Sequence, residues 1–262
     1  MTELLFLGTG AADWDMKHDS AKNDFRGNSG ILIDGHIMLD CGPGAFSYAD
    51  RRNCRGLFKN VDTVFMTHSH GDHFSAESVS RLCAESENNI TLYGDSVFKY
   101  LLPDEKKLSF VPLDARRHES VKCGKFTVTA LKSNHATGLW DEQTLHYLFE
   151  SEKTMFVGYD GAWLIADTWE VLMKKHIDVY IADSTCGDMP ECKYNFRNFS
   201  HNNPLMIDMI YNTCVQNGVM DASSLFVLTH IAKTLHTSRD ETEKNAQEKG
   251  YIAAYDGFML KY

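Results

Sequence analysis

The chain reads as a layered α/β or α+β sandwich in which strands and helices mix throughout. Two observations predict this. Short apolar, β-branched runs alternate along the whole sequence with amphipathic stretches that carry capping signals. In addition, "VFMTH" ending at His68 is echoed by "FVLTH" ending at His230, each an apolar strand that delivers Thr-His at its C-terminal end. Two similar halves converging on one site would produce such an echo.

Taken in order, "ELLFLG" opens the chain as a strand. "ILID" and "IMLD" flank Gly35-His36, which predicts a tight hairpin. "TVFMT", "FTVTAL", "TMFVGY", "VYIAD" and "LFVLT" follow as strands, several apolar throughout, as expected of strands covered on both faces. Helices are predicted at about 76–86, 162–175, 204–217 and 239–249. In the third, Asn203 caps the first turn, Pro204 suits its opening position and Gly218 ends it. The fourth follows Ser238, carries Asp240 and Glu241 in its first turn and stops at Gly250.

Length and composition narrow the function classes. The 262 residues are ample for a buried core, and a hydrophobic content of 43% is that of a globular chain. The formal net charge of -10 argues against a nucleic-acid partner, which usually meets a basic face. No apolar run approaches the length that spans a bilayer, and the N-terminus lacks a basic region followed by an apolar one, so the expectation is a cytoplasmic protein with no membrane partner. The seven cysteines are odd in number, irregularly spaced and without a CxxC pair, which argues against a disulfide framework and a Cys-based zinc site. With no linker and no low-complexity segment, residues 1–262 are expected to form one domain.

The chemistry concentrates in "THSHGDHF" at positions 67–74. His68 and His70 are two apart beyond a strand, so in extended backbone their imidazoles point the same way and can approach one cation. Gly71 is expected to permit a sharp turn that lets Asp72 and His73 face a second cation. Nitrogen and carboxylate ligands suit Zn²⁺, Mn²⁺ and Fe²⁺ alike. The competing reading, a polar loop with accidental histidines, leaves four polar groups beside an apolar strand that are costly to bury.

This HxHxDH pattern after an apolar strand resembles the metallo-β-lactamase fold superfamily, an α+β, four-layer αββα sandwich with a two-metal site. The resemblance runs through nearly the whole chain: "LFLGTG", "LDCGPG", "LYG", "SNHAT", "FVGYDGAWL" and "VLTH" each match a segment of that pattern. It implies that His68, His70 and His135 hold one metal, that Asp72, His73 and His230 hold the other, and that Asp160 bridges them. Asp40 would stand behind the ligands, orienting a histidine or the loop backbone. Asp183 of "YIADSTCG" rivals Asp160 as the bridge, and His236 is the substitute for His230.

Two adjacent cations favour hydrolysis, because they generate hydroxide near neutral pH and neutralise substrate oxygens. "RGNSG", "SHNNP" and "YDGFML" resemble segments of the branch that contains ribonuclease Z and the phosphodiesterase acting on phosphoribosyl 1,2-cyclic phosphate. The resemblance implies attack by a metal-bridging hydroxide on a small phosphodiester, cyclic ones included. His201 would protonate the leaving alkoxide or hold a phosphate oxygen, and Asp72 joins it as candidate catalytic residue. Arg26, Asn28 and Ser29 either contact phosphate or close a loop. The chain departs from the branch in two places. "AADWDMKHDSAKNDF" lacks the cysteines of a second zinc site, leaving Asp13, Asp15 and His18 without an assigned role. No glycine- and proline-rich arm for transfer RNA is present either, so a tRNA partner is disfavoured. A homodimer is the family-level expectation. The alternatives are a lactonase or other carboxylic ester hydrolase, and a non-catalytic metal-binding sensor of the same fold.

Overall fold

The computed structural model describes residues 1–20 and 23–262. The chain falls into two compact units, each built on its own seven-stranded mixed sheet. The first comprises Met1–Asp114, Thr137–Leu145 and Tyr255–Tyr262, and the second Ala115–Ala136 and His146–Ala254.

The sheet of the first unit contains β1 (Glu3–Gly8), β2 (Gly30–Ile33), β3 (Ile37–Leu39), β4 (Thr63–Phe65), β5 (Ile90–Gly94), β6 (Leu108–Pro112) and β14 (Met259–Lys261). Their order is β14-β1-β2-β3-β4-β5-β6, antiparallel from β14 to β3 and parallel from β3 to β6. Every residue of β2, β3 and β4 is buried, which is why these strands read as continuous apolar runs. The hairpin joining β2 and β3 turns one residue earlier than expected: Asp34 and Gly35 carry φ of 48° and 74°, and the His36 N–H bonds the Ile33 carbonyl. Two successive positive φ values make this the type I′ turn that matches strand twist.

Helices α1 (Pro43–Arg51) and α2 (Ala76–Glu85) bury Phe46, Tyr48, Val79 and Leu82 against Met38, Val64 and Leu92. Each such side chain contributes roughly 1.5–3 kcal/mol. The sequence expectation omitted α1, whose Gly44 lowers helix propensity. Gly44 is there because a Cβ at that position would lie 2.1 Å from the Asn28 carbonyl oxygen.

The second sheet contains β7 (Ser120–Cys123), β8 (Phe126–Lys132), β9 (Leu145–Glu150), β10 (Thr154–Gly158), β11 (Val179–Asp183), β12 (Leu225–Thr229) and β13 (Ile252–Ala253). The order is β13-β12-β11-β10-β9-β8-β7, with β10 to β13 parallel. Helices α3 (Ala166–Leu172), α4 (Pro204–Gln216) and α5 (Arg239–Glu248) pack Leu172, Ile207, Ile210 and Ala246 with Phe156, Tyr180 and Phe226. Asn203 and Ser238 accept the expected capping bonds, from the Met206 and Glu241 N–H groups. The helix expected at 162–175 starts later and ends sooner, at Ala166–Leu172. Trp163 is left-handed (φ 50°), and its N–H bonds the Asn202 side chain, so the chain turns before it coils.

Two mixed sheets, each with its own helices, are the α+β composition of the metallo-β-lactamase fold. All seven cysteines are free thiols. No helix among the described residues is long and apolar enough to cross a membrane.

Candidate metal centre

In the first unit the candidate ligands sit on the loop that leaves β4. Parallel pairing puts Leu39 opposite Phe65, so Asp40, one residue beyond β3, stands beside that loop. Its fully buried carboxylate accepts the Thr67 N–H (2.8 Å) and the Thr67 hydroxyl on Oδ1, and meets Nδ1 of His73 at 2.7 Å on Oδ2. Thr67 Oγ1 is also 2.9 Å from Nδ1 of His68, whose Nε2 is 3.0 Å from Nδ1 of His70. Nε2 of His73 lies 3.4 Å from Asp72 Oδ2. His68, Asp72 and His73 are buried, and His70 is half-buried.

The chain turns at Gly71 as expected, with the His73 and Phe74 N–H groups on the His70 carbonyl, but the turn does not require glycine. The Gly71 backbone is outside the left-handed region, and a Cβ there would meet open space. The glycine the loop requires is Gly42, where a Cβ would lie 2.3 Å from the Asp72 carbonyl oxygen. Glu142, which nothing in the sequence singled out, accepts both the N–H and the hydroxyl of Ser69 at 2.7 Å and so clamps the residue between His68 and His70.

In the second unit, strand ends again supply the groups. Asp160 lies two residues beyond β10, Asp183 is the last residue of β11, and His230 follows β12. Ligand atoms of Asp160, Asp183, His201 and His230 all lie within 4.8 Å of one another, a donor set whose chemistry fits a divalent cation. Asp160 Oδ2 is 3.4 Å from Nε2 of His230, and its Oδ1 is 3.1 Å from Nδ1 of His201 and 3.3 Å from Nδ1 of His135.

Asp183 addresses the opposite edge of His230. Its Oδ1 accepts the N–H groups of Thr185 and Asn202, while its Oδ2 is 2.9 Å from Thr185 Oγ1, 3.1 Å from Nδ1 of His201 and 3.5 Å from Nδ1 of His230. Asp183 is therefore saturated by donors on the Nδ1 side of His230, and Asp160 stands on the Nε2 side of that ring.

Asp40, Asp160 and His230 share a further property: φ of 61°, 58° and 57°. Left-handed backbone in a non-glycine residue costs on the order of 1–3 kcal/mol and concentrates at functional sites. His201 is held by its own N–H to the Arg197 carbonyl, and its ring stacks on His230 with centroids 5.6 Å apart. Burial alone would lower its pKa. The charge of Asp183 and the hydrogen bonds that Asp160 and Asp183 accept from the ring outweigh that and hold it up at about 10.

Among the remaining candidates, Arg26 is buried and donates to the Thr9 hydroxyl, Asn28 to the Ala11 carbonyl and Ser29 to the Gly10 carbonyl, bonds that tie their loop to the chain after β1. Asp256 of the "YDGF" tail, far from these residues in sequence, accepts from Thr9, Gly27 and Arg51. Asp15 and His18 pair at 2.7 Å on an exposed turn. His18 and Lys17 N–H groups there hold the Asp15 carboxyl down at about 2. Ala21 and Lys22 of the same segment lie outside the described residues. His236 Nε2 lies 2.7 Å from the Ser184 carbonyl oxygen, which ties it to the chain beyond β11.

Comparison with known proteins agrees with this geometry. Residues 36–231 match the family model of the Beta-lactamase superfamily domain. No curated protein sequence matches significantly. Among solved structures the chain is similar to a diphosphatase from the PhnP family (18% identity, TM-score 0.70, covering 100% of this chain and 97% of the other). It is similar to unliganded yeast PDE1 (16% identity, TM-score 0.68, covering 100% and 99%). It is also similar to the short form of human tRNase Z, ELAC1 (18% identity, TM-score 0.65, covering 99% and 98%). At these identities the likeness is one of fold. A family model spanning most of the chain, joined to the two mixed sheets and the His/Asp clusters at their strand ends, shows that this protein belongs to the β-lactamase superfamily and has the metallo-β-lactamase fold.

Proposed function

We propose that the protein is a two-metal hydrolase of small phosphodiesters, cyclic ones included. Its superfamily consists mostly of metal-dependent hydrolases. In this reading residues 1–262 act as one domain, in which His68, His70 and His135 hold one cation, Asp72, His73 and His230 hold the other, and Asp160 serves both. Zn²⁺ and Mn²⁺ suit these donors, and Fe²⁺ does as well. When bound, such ions lower the pKa of water and neutralise charge on substrate oxygens.

The observation that carries the reading is His201. Hydrolysis of an alkyl phosphodiester requires a proton for the leaving alkoxide. Asp183 and Asp160 engage His201 through Nδ1, which leaves Nε2 to give that proton. The charge of Asp183 beside the ring favours the imidazolium. Asp183, with two backbone donors on Oδ1, holds the ring in orientation. The similarity to a diphosphatase of the PhnP family and to yeast PDE1 favours a phosphate substrate over a carboxylic ester.

The test compares His201→Ala with the wild type on a diester with an aryl leaving group and one with an alkyl leaving group. Loss of a general acid costs about 10²–10⁴ in kcat on the alkyl substrate and much less on the aryl one, with metal content unchanged. Asp72→Ala serves as the metal-site control. Equal losses on both substrates would remove His201 from the role of acid.

A further inference from the structure

Each unit holds the same hydrogen-bonded device. In the first, Asp40 follows β3, the parallel neighbour β4 leads to His68, and Thr67 stands between them. Thr67 Oγ1 is 2.9 Å from Asp40 Oδ2 and 2.9 Å from Nδ1 of His68. In the second, Asp183 ends β11, the parallel neighbour β12 leads to His230, and Thr185 stands between them. Thr185 Oγ1 is 2.9 Å from Asp183 Oδ2 and 2.7 Å from Nδ1 of His230. Each carboxylate also meets a second histidine directly, His73 at 2.7 Å and His201 at 3.1 Å. Both share one aspartate, one histidine in contact with it, and one histidine linked to it by a threonine hydroxyl; in the second unit Thr185 Oγ1 is also 3.0 Å from Nδ1 of His201, and Asp183 Oδ2 is itself 3.5 Å from Nδ1 of His230.

The proton bookkeeping of such a chain has one solution. A hydroxyl has a single proton, and an ionised carboxylate only accepts. The threonine proton therefore goes to the aspartate. The hydroxyl oxygen then faces the imidazole with a lone pair, and Nδ1 must carry a proton to meet it. The neutral ring is left with a bare lone pair on Nε2.

We propose that Thr67 and Thr185 are matched positioning residues that lock His68 and His230 in the Nδ1–H tautomer and so present Nε2 to a cation. This rests on the reading of these two histidines as metal ligands. A hydroxyl spacer conveys the direction of the hydrogen bond: Thr185 Oγ1 lies nearer to Nδ1 of His230 (2.7 Å) than the Asp183 carboxylate does (3.5 Å). The device also gives the Thr-His echo a more exact content. The second threonine that acts is Thr185, reached across the sheet, and not Thr229, the sequence counterpart of Thr67. The buried hydroxyl of Thr229 has no hydrogen-bond partner.

The experiment uses the full-length protein with Thr67→Val, Thr67→Ser, Thr185→Val, Thr185→Ser and Thr229→Val. Long-range ¹⁵N–¹H NMR on the metal-free protein reads the tautomer of each histidine, and competition with a chromophoric chelator reads Zn²⁺ affinity. The expected result is Nδ1–H at His68 and His230 in the wild type. Each valine variant at 67 or 185 should lose that tautomer at its own histidine and weaken Zn²⁺ binding about 10–100-fold, the usual cost of removing a partner behind a ligand. The serine variants should restore both readouts, and Thr229→Val should change neither. Nε2–H at either histidine in the wild type, or valine variants that keep the tautomer, would overturn the relay. A wild type that shows the Nδ1–H tautomers yet binds no Zn²⁺ or Mn²⁺ would overturn the ligand reading instead, and with it the purpose assigned to the threonines.

Discussion

Asp256→Ala tests the claim that the "YDGF" tail is an anchor. The carboxylate is almost wholly buried and accepts four donors: Thr9 N–H (3.1 Å) and Thr9 hydroxyl (3.0 Å) on Oδ1, Gly27 N–H (2.7 Å) and Arg51 Nη2 (2.9 Å) on Oδ2. Alanine leaves the two backbone N–H groups without an acceptor, at about 1–3 kcal/mol each. Arg51 is a quarter exposed and returns to water at little cost. Burial pushes the Asp256 carboxyl pKa up despite the pull of Gly27 and Arg51, so the carboxylate is itself partly penalised and the loss falls short of the sum of its bonds. The net expectation is about 3 kcal/mol, which for a chain of this size is a fall in Tm of roughly 6–12 °C. Asparagine should not rescue it, since its NH₂ would face two of the four donors. Thermal and urea melts of the three proteins decide the matter. An alanine variant within 1 kcal/mol of wild type, or an asparagine variant as stable as wild type, would refute the anchoring argument.

Two further outcomes follow from the buried titratable groups. Asp183→Asn removes the charge that raises the His201 pKa, so the alkaline limb of the pH–kcat profile should move to lower pH and kcat at neutral pH should fall by about 10²; an unmoved alkaline limb would disconnect the pair. His146 is 1% exposed, and burial depresses its pKa from 6.5 to about 4 despite the charge of Asp160. The unfolded chain therefore binds more protons in that window, and stability present above pH 6.5 is lost as pH falls toward 4, by on the order of 3 kcal/mol. Urea midpoints of the wild type and His146→Leu across that range should diverge, with the leucine variant the less acid-sensitive; parallel curves would exclude His146 as the source.

Legibility in the sequence tracked the range of the interaction. The caps at Asn203 and Ser238 and the apolar strands are local features, and they fold as their residues predict. The HxHxDH segment is local too, so its chemistry was visible at once. What stayed hidden depends on chain segments that meet only on folding. Gly44 weakens the sequence signal of α1 because Asn28 crowds it, and Gly42 is required by the carbonyl of Asp72. Glu142 reaches back 73 residues to Ser69, and Thr185 reaches His230 across 45. No periodicity encodes such partners. Asp160 and Asp183 are of the same kind: both follow apolar strands, and their difference, the edge of His230 that each addresses, exists only in the folded chain.

The left-handed backbone at Asp40, Asp160 and His230 has a consequence for engineering. Glycine at any of these strand ends would relieve the conformational penalty and remove the functional group at the same time. Backbone strain alone therefore favours glycine at three positions that the proposed function requires to be aspartate or histidine, while at Asp40 the buried bonds from Thr67 and His73 oppose it. Under the proposed function, the trade between robustness and activity is written one or two residues beyond the end of a strand, where a design scored by backbone strain alone would erase the proposed ligands.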